Sequence, residues 1–234
     1  MALDVYVGPL TLYYAGEWEN AAQSQARKRG DQYHIIRTRH EDDAVKDPER
    51  VRSALVIWRR SLSDALGANI SEPLEWDEVS LSYATGRPDW QGLGSLILWA
   101  AYAEHRDLEP PARYVEVSTD PAYQRSTAED ATNLFPHVIR NIEFWLPSAF
   151  DFTFKANAPN DDIVAFGSSF TLLANLQSLN DATWQADRTT IERWGEHRPS
   201  PDASLEDSAK SGFHEMFLLA EFACQRRLPM KLDY

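Results

Sequence analysis

The sequence predicts an α+β fold, a single domain over residues 1–234 with about six helices around a small, mainly antiparallel sheet. Three observations carry this expectation. Long runs with apolar residues at helical spacing, each opened by a capping residue, alternate with short runs of period two. Two of the short runs are joined by a turn-forming segment at 156–161, as in a hairpin. The proline-bearing linker at 197–203 is too short to separate two domains. With 234 residues, 43% hydrophobic and 25% charged, the chain buries roughly 70–75% of its unfolded surface and needs no disulfide or metal to fold.

Residues 3–7 (LDVYV) alternate as a strand and stop at Gly8 and Pro9, while 10–14 (LTLYY) read as a second β segment or an extended lead-in. Composition turns helical over 18–29, with Gly30 as C-cap, and 33–38 read as another strand. Asp47 is a good N-cap and Pro48 suits the first helical position, where its missing N–H costs nothing. Val51, Ala54, Leu55, Trp58, Leu62, Ala65 and Leu66 then share one helix face, and Gly67 ends it. Across 72–83, Leu74, Trp76 and Leu81 among carboxylates predict an exposed, one-sided β segment. Asp89 caps a helix over 90–106 whose middle is apolar all round, the pattern of a central helix covered on several sides. A short strand is expected at 113–117 and a helix led by Pro121 at 119–130. Strands follow at 142–146 and 150–155, the second with Phe150, Phe152 and Phe154 on one face, and 163–166 completes the hairpin. A helix starts at Ser168 or Ser169 and runs to about Trp184. The last helix opens on Ser204-Leu205-Glu206-Asp207, a capping box, and closes on Arg226-Arg227, both favourable to the helix dipole. Its inner stripe runs through Gly212, Phe213 and Met216 to Cys224, which reads as a buried small hydrophobe.

The 36 acids outnumber the 23 lysines and arginines, for a net charge of -13. That balance opposes nonspecific binding to nucleic acid or an anionic membrane. The charge is unevenly placed. Residues 1–60 are near neutral, whereas 61–86 and 141–187 together hold 11 acids and Lys155 alone. Concentrated carboxylates repel one another, so they serve either as a solvated exterior or as an attractive field for a cationic partner. Glu72, Glu75, Trp76, Asp77, Glu78, Asp161 and Asp162 are the candidate partner-binding residues. If the two acidic stretches converge, Trp76, Tyr83, Phe144, Trp145 and Trp184 would supply an apolar centre inside an acidic rim.

Catalytic motifs fail one by one. Gly92-Leu93-Gly94 lies inside a helix and lacks the third glycine of a dinucleotide loop, and no GxxxxGK[ST] occurs. His214-Glu215-Met216-Phe217-Leu218 has leucine where a zinc protease needs its second histidine. His34 and His40, beside Glu41, Asp42 and Asp43, are separated by about 20 Å of extended chain unless a turn intervenes. His105-Arg106-Asp107 lacks every companion of a kinase catalytic loop and reads as a helix terminus. Catalytic residues, cofactors and metal ligands are therefore all expected to be none. Glu75 and Asp77 leave one enzymatic alternative, a carboxylate-dependent hydrolase. On one strand face their side chains would stand about 6–7 Å apart, with Trp76 nearby to stack on a sugar or another neutral substrate.

The opening LDVYVGPLTLYY, the central WQGLGSLILWAAYAEH and the closing LPMKLDY resemble an uncharacterised family of bacterial proteins over nearly the full length. That resemblance implies no activity, cofactor or catalytic residue. In general profile the chain is also similar to immunity proteins of bacterial toxin systems, which implies a noncatalytic role and a basic protein partner. Residues 1–12 lack the apolar run of a secretory leader, and the most apolar stretch, 96–103, is far below the roughly 20 residues that span a bilayer. With a single cysteine the expected compartment is the cytoplasm, and the sequon at Asn69 is a chance match.

Overall fold

The first strand, β1 (Asp4–Val7), takes a short helix, α1 (Leu10–Ala15), directly after it, and α2 (Ala21–Arg29) follows. A computed structural model describes residues 3–30 and 47–234; the expected strand at 33–38 and the cluster at His34 and His40 lie outside them. Then come α3 (Pro48–Leu66), β2 (Ala84–Gly86), α4 (Asp89–Glu104), α5 (Pro121–Ser126) and α6 (Pro136–Ile139). The chain continues through β3 (Phe144–Leu146), β4 (Phe154–Asn157), β5 (Ile163–Ser168), α7 (Ser169–Ala182), α8 (Arg188–Trp194), α9 (Leu205–Arg226) and β6 (Met230–Asp233). Among the described residues the six strands form one sheet in the order β2-β1-β6-β3-β5-β4, antiparallel except where β3 runs parallel to β5. This is a single α+β domain.

Strand alternation sorts the core into two layers. Val5, Val7, Trp145, Met230 and Leu232 point toward α4, α7 and α9, whereas Phe144, Leu146 and Phe166 point toward α1 and α3. Helix α4 lies against α9, and the crossing depends on Gly212. A Cβ added to Gly212 would stand 2.2 Å from the Gly92 carbonyl oxygen, so the backbones touch there. Gly94 makes room for the Tyr114 ring in the same way. The glycine pair that failed as a nucleotide loop is thus a packing device.

The caps stand where the sequence places them. Asp47 accepts from the Glu49 N–H, Ser168 from Thr171 and Ser204 from Asp207, while Asp89 accepts from Gly92 at 2.6 Å. The hairpin pairs Phe154 with Phe166 and Asn157 with Ile163, so its first strand begins at Phe154 and the expected strand residues 150–153 lead into it unpaired.

Four expected elements change. Residues 10–14 form α1 instead of a β segment, because burying Leu10 with Tyr14 in the layer of α3, with the Thr11 N–H bonded to Glu78, outweighs the β propensity of LTLYY. The 72–83 stretch forms no strand. Its backbone bonds go to side chains: Leu74 N–H to Ser63 Oγ at 3.1 Å, and the Trp76 carbonyl from Arg59 at 2.7 Å. Asp77 then turns the chain by accepting from Val79 and Ser80. Residues 113–117 contribute only an isolated bridge from Arg113 to Ser204. The helix expected over 119–130 stops at Ser126, since Glu129 and Asp130 would otherwise meet the negative end of its dipole.

Candidate functional site

The sequence-predicted acidic residues separate into an outward and an inward set. Leu74, Trp76 and Glu78 alternate into the core, and Glu72, Glu75 and Asp77 face solvent between them. Glu78, 8% exposed, accepts from the Thr11 N–H at 2.7 Å and from Trp76 Nε1 at 2.5 Å. It therefore satisfies a free donor at the start of α1 and fixes the Trp76 ring. The other face of that ring lies under Arg59, whose guanidinium sits 4.9 Å from its centroid. Trp76 and Glu78 are consequently internal supports, and the exposed surface consists of Glu72, Glu75 and Asp77 followed by the exposed Val79 and Leu81. Glu72, Glu75 and Asp77 line an open concavity with Pro147, Ser148, Arg226 and Arg227. Arg227 approaches Glu72 at 3.6 Å, an exposed pair worth little. With its ring covered, Trp76 offers Glu75 and Asp77 no stacking platform for a sugar.

Asp161 and Asp162 lie elsewhere. They immediately precede Ile163, which starts β5, whereas Pro147 and Ser148 follow Leu146, which pairs with Ser168 at the other end of β5. Five steps of strand separate these ends by about 17 Å. The proposed aromatic centre does not assemble either. Phe144 and Trp145 are buried on opposite faces of the sheet, Tyr83 stacks on Tyr6, and Trp184 lies flat on Trp99 at 5.6 Å.

A feature that no sequence motif announces is a cavity of about 290 Å³, open to solvent at one end, between the sheet and α4. Leu93, Leu96, Ile97, Trp145 and Leu172 wall it, and Glu116, Glu143, Trp90 and Tyr234 also line it. The Tyr234 hydroxyl donates to Glu143 at 2.5 Å, and that bond pushes its pKa up to about 12. The segments that contribute lie as far apart as Trp90 and Tyr234, so periodicity alone could not reveal the cavity.

His137, fully buried, also contributes to the lining. Its Nδ1 accepts from the Ser168 N–H at 3.0 Å, so the neutral ring carries its proton on Nε2, which has no hydrogen-bond partner among the described residues. Gly167 is required beside it, because a Cβ there would lie 2.8 Å from Nδ1. Burial lowers the His137 pKa below its ordinary 6.5, against the opposing influence of the Asp151 backbone and carboxylate. The unfolded chain therefore takes up a proton that the folded protein resists, and stability falls as pH drops through and below 6.5. His137→Gln should lose less unfolding free energy than the unsubstituted protein between roughly pH 7.5 and roughly pH 5. Equal losses in urea titrations of the two proteins would refute this account.

Other constellations resolve as structural. Ser126 Oγ lies 2.7 Å from Glu104 and 3.0 Å from His105 Nε2, the composition of a hydrolytic triad. Ser126 is buried, though, and it spends its proton on a carboxylate that also accepts from Asn133 and from the Leu134 and Phe135 N–H groups. The cluster staples the 126–135 loop to α4. His214 Nδ1 bonds the Ile191 carbonyl at 2.8 Å. Cys224 is half-buried, and burial pushes its thiol up to about 11, so it is not a thiolate at neutral pH. Among the described residues no group of three His, Cys, Asp or Glu side chains could hold a metal ion, and no helix is long and apolar enough to cross a membrane. No protein-family model matches the chain, nor does any curated protein or solved structure.

Proposed function

We propose that this is a noncatalytic bacterial protein of the cytoplasm that binds a basic partner protein through the ridge at 72–81, in the manner of an immunity protein neutralising a toxin domain. The observation that supports this reading is the alternation along the ridge. Leu74, Trp76 and Glu78 are locked inside, so Glu72, Glu75 and Asp77 are presented in a fixed geometry beside exposed Val79 and Leu81. Preorganised carboxylates next to apolar side chains suit a cationic surface, because little conformational freedom is lost on docking. Asp161 and Asp162, at the far end of β5, contribute to the long-range field that steers a basic partner and make no contact at this ridge.

The test is a pull-down from cells of the source organism with the unsubstituted protein and with a Glu72→Lys, Glu75→Lys, Asp77→Lys triple variant. The expected result is a stoichiometric basic protein whose association weakens with salt and is lost in the variant. Recovery of no such protein, or equal recovery by both baits, would overturn the reading.

A further inference from the structure

The cavity carries an inference independent of the ridge. An engineered apolar cavity of 150 Å³ holds benzene, so about 290 Å³ has room for a ligand of about a dozen non-hydrogen atoms. Its walls are apolar side chains from α4, α7 and β3, and such walls favour a hydrocarbon or aromatic body. The lining residues that reach solvent mark the mouth, and their chemistry is one-sided. Trp90 and Tyr234 are exposed and meet edge to face at 5.4 Å, with Tyr114 also in the lining. Glu116 and Glu143 are the charged groups of the lining, and no lysine or arginine accompanies them. Glu143 is half-buried and holds the Tyr234 hydroxyl, yet a carboxylate has lone pairs for further donors. Aromatic faces and carboxylates around an apolar pocket complement an ammonium group, whereas an anionic ligand would meet uncompensated negative charge.

From this geometry we infer that the cavity is a binding site for a small protonated amine, its apolar body against Leu96, Ile97 and Trp145 and its ammonium at Glu143 and Glu116. His137 contributes an N–H in the wall and no positive charge, and the basic side chains near Glu143, Arg140 and Lys155, line the neighbouring concavity outside this cavity.

The experiment titrates the full chain with 2-phenylethylamine, its neutral isostere propylbenzene and the anion 3-phenylpropanoate, followed by tryptophan fluorescence and calorimetry. The amine is expected to bind at least about tenfold more tightly than the neutral probe, and the anion more weakly than either. Glu143→Gln should remove most of that preference while leaving the neutral probe bound. Ile97→Phe, which fills the wall, should abolish binding of all three; if it fails to fold, Leu172→Phe takes its place. Equal affinity for the three probes, undiminished binding by a folded filled variant, or no saturable binding of the amine would each overturn the inference.

Discussion

Gly212→Ala is expected to destabilise the protein by about 3 kcal/mol, lowering the melting temperature by roughly 6–12 °C. In an ordinary helix interior this substitution stabilises by up to about 1 kcal/mol, because alanine restricts the unfolded chain and glycine does not. Here the sign reverses for a steric reason. The new methyl would lie 2.2 Å from the Gly92 carbonyl oxygen and 2.5 Å from its carbonyl carbon, so α9 must move away from α4 across the most extensive helix–helix contact among the described residues. Both partners in the collision are backbone, and no side chain can rotate to relieve it. Gly92→Ala provides the control. A Cβ at that position would meet Asp89 Oδ1 at 3.3 Å and the Gly212 Cα at 3.5 Å, distances that need only a small adjustment. Its effect should stay within about 1 kcal/mol of zero. Thermal melts of the two variants side by side check the asymmetry, and similar melting temperatures would show that the crossing is not set by Gly212.

Glu78→Gln should cost about 2–3 kcal/mol although it changes only one atom of the side chain. The two carboxylate oxygens serve two buried donors, the Thr11 N–H and Trp76 Nε1. Glutamine offers one acceptor and turns an NH2 toward the other donor, leaving a buried N–H unpaired against a second donor. The consequence reaches the ridge, because Trp76 and Glu78 are the internal supports that hold Asp77 and Val79 outward. Urea denaturation should report the loss, and limited proteolysis should show faster cleavage within 72–81. Glu75→Gln, at an exposed position of the same ridge, should leave stability within about 0.5 kcal/mol of the unsubstituted protein. A Glu78 variant as stable as the Glu75 variant would mean that the carboxylate is not a structural acceptor.

Much of the fold was legible because its signals are local. Asp47-Pro48, Ser168 and Ser204 mark helix starts through hydrogen bonds made within three residues, and the Phe154 to Phe166 hairpin follows from period two and a turn-forming segment. The misread segments share a different property. LTLYY at 10–14 is helical because α3 and the distant Glu78 receive it, and 72–83 is extended but unpaired because Ser63 and Arg59 take its backbone groups. No pattern within either segment encodes those neighbours. The candidate site divides the same way. The exposed carboxylates Glu72, Glu75 and Asp77 could be named from charge density, whereas the burial of Glu78, one to six residues from each of them, could not.

The uneven distribution of 36 acids, the capped helices and the α+β class follow from the order of residues alone, since each rests on composition or on interactions a few positions apart. Whether the acidic stretches meet is decided by strand register, which sends 72–78 to one end of β5 and Asp161-Asp162 to the other. The cavity beneath Tyr234 is likewise tertiary in origin. Its walls come from segments more than 100 residues apart, and the shape of the space between packed elements depends on how closely Gly212 lets α9 approach α4, a distance that no local pattern encodes.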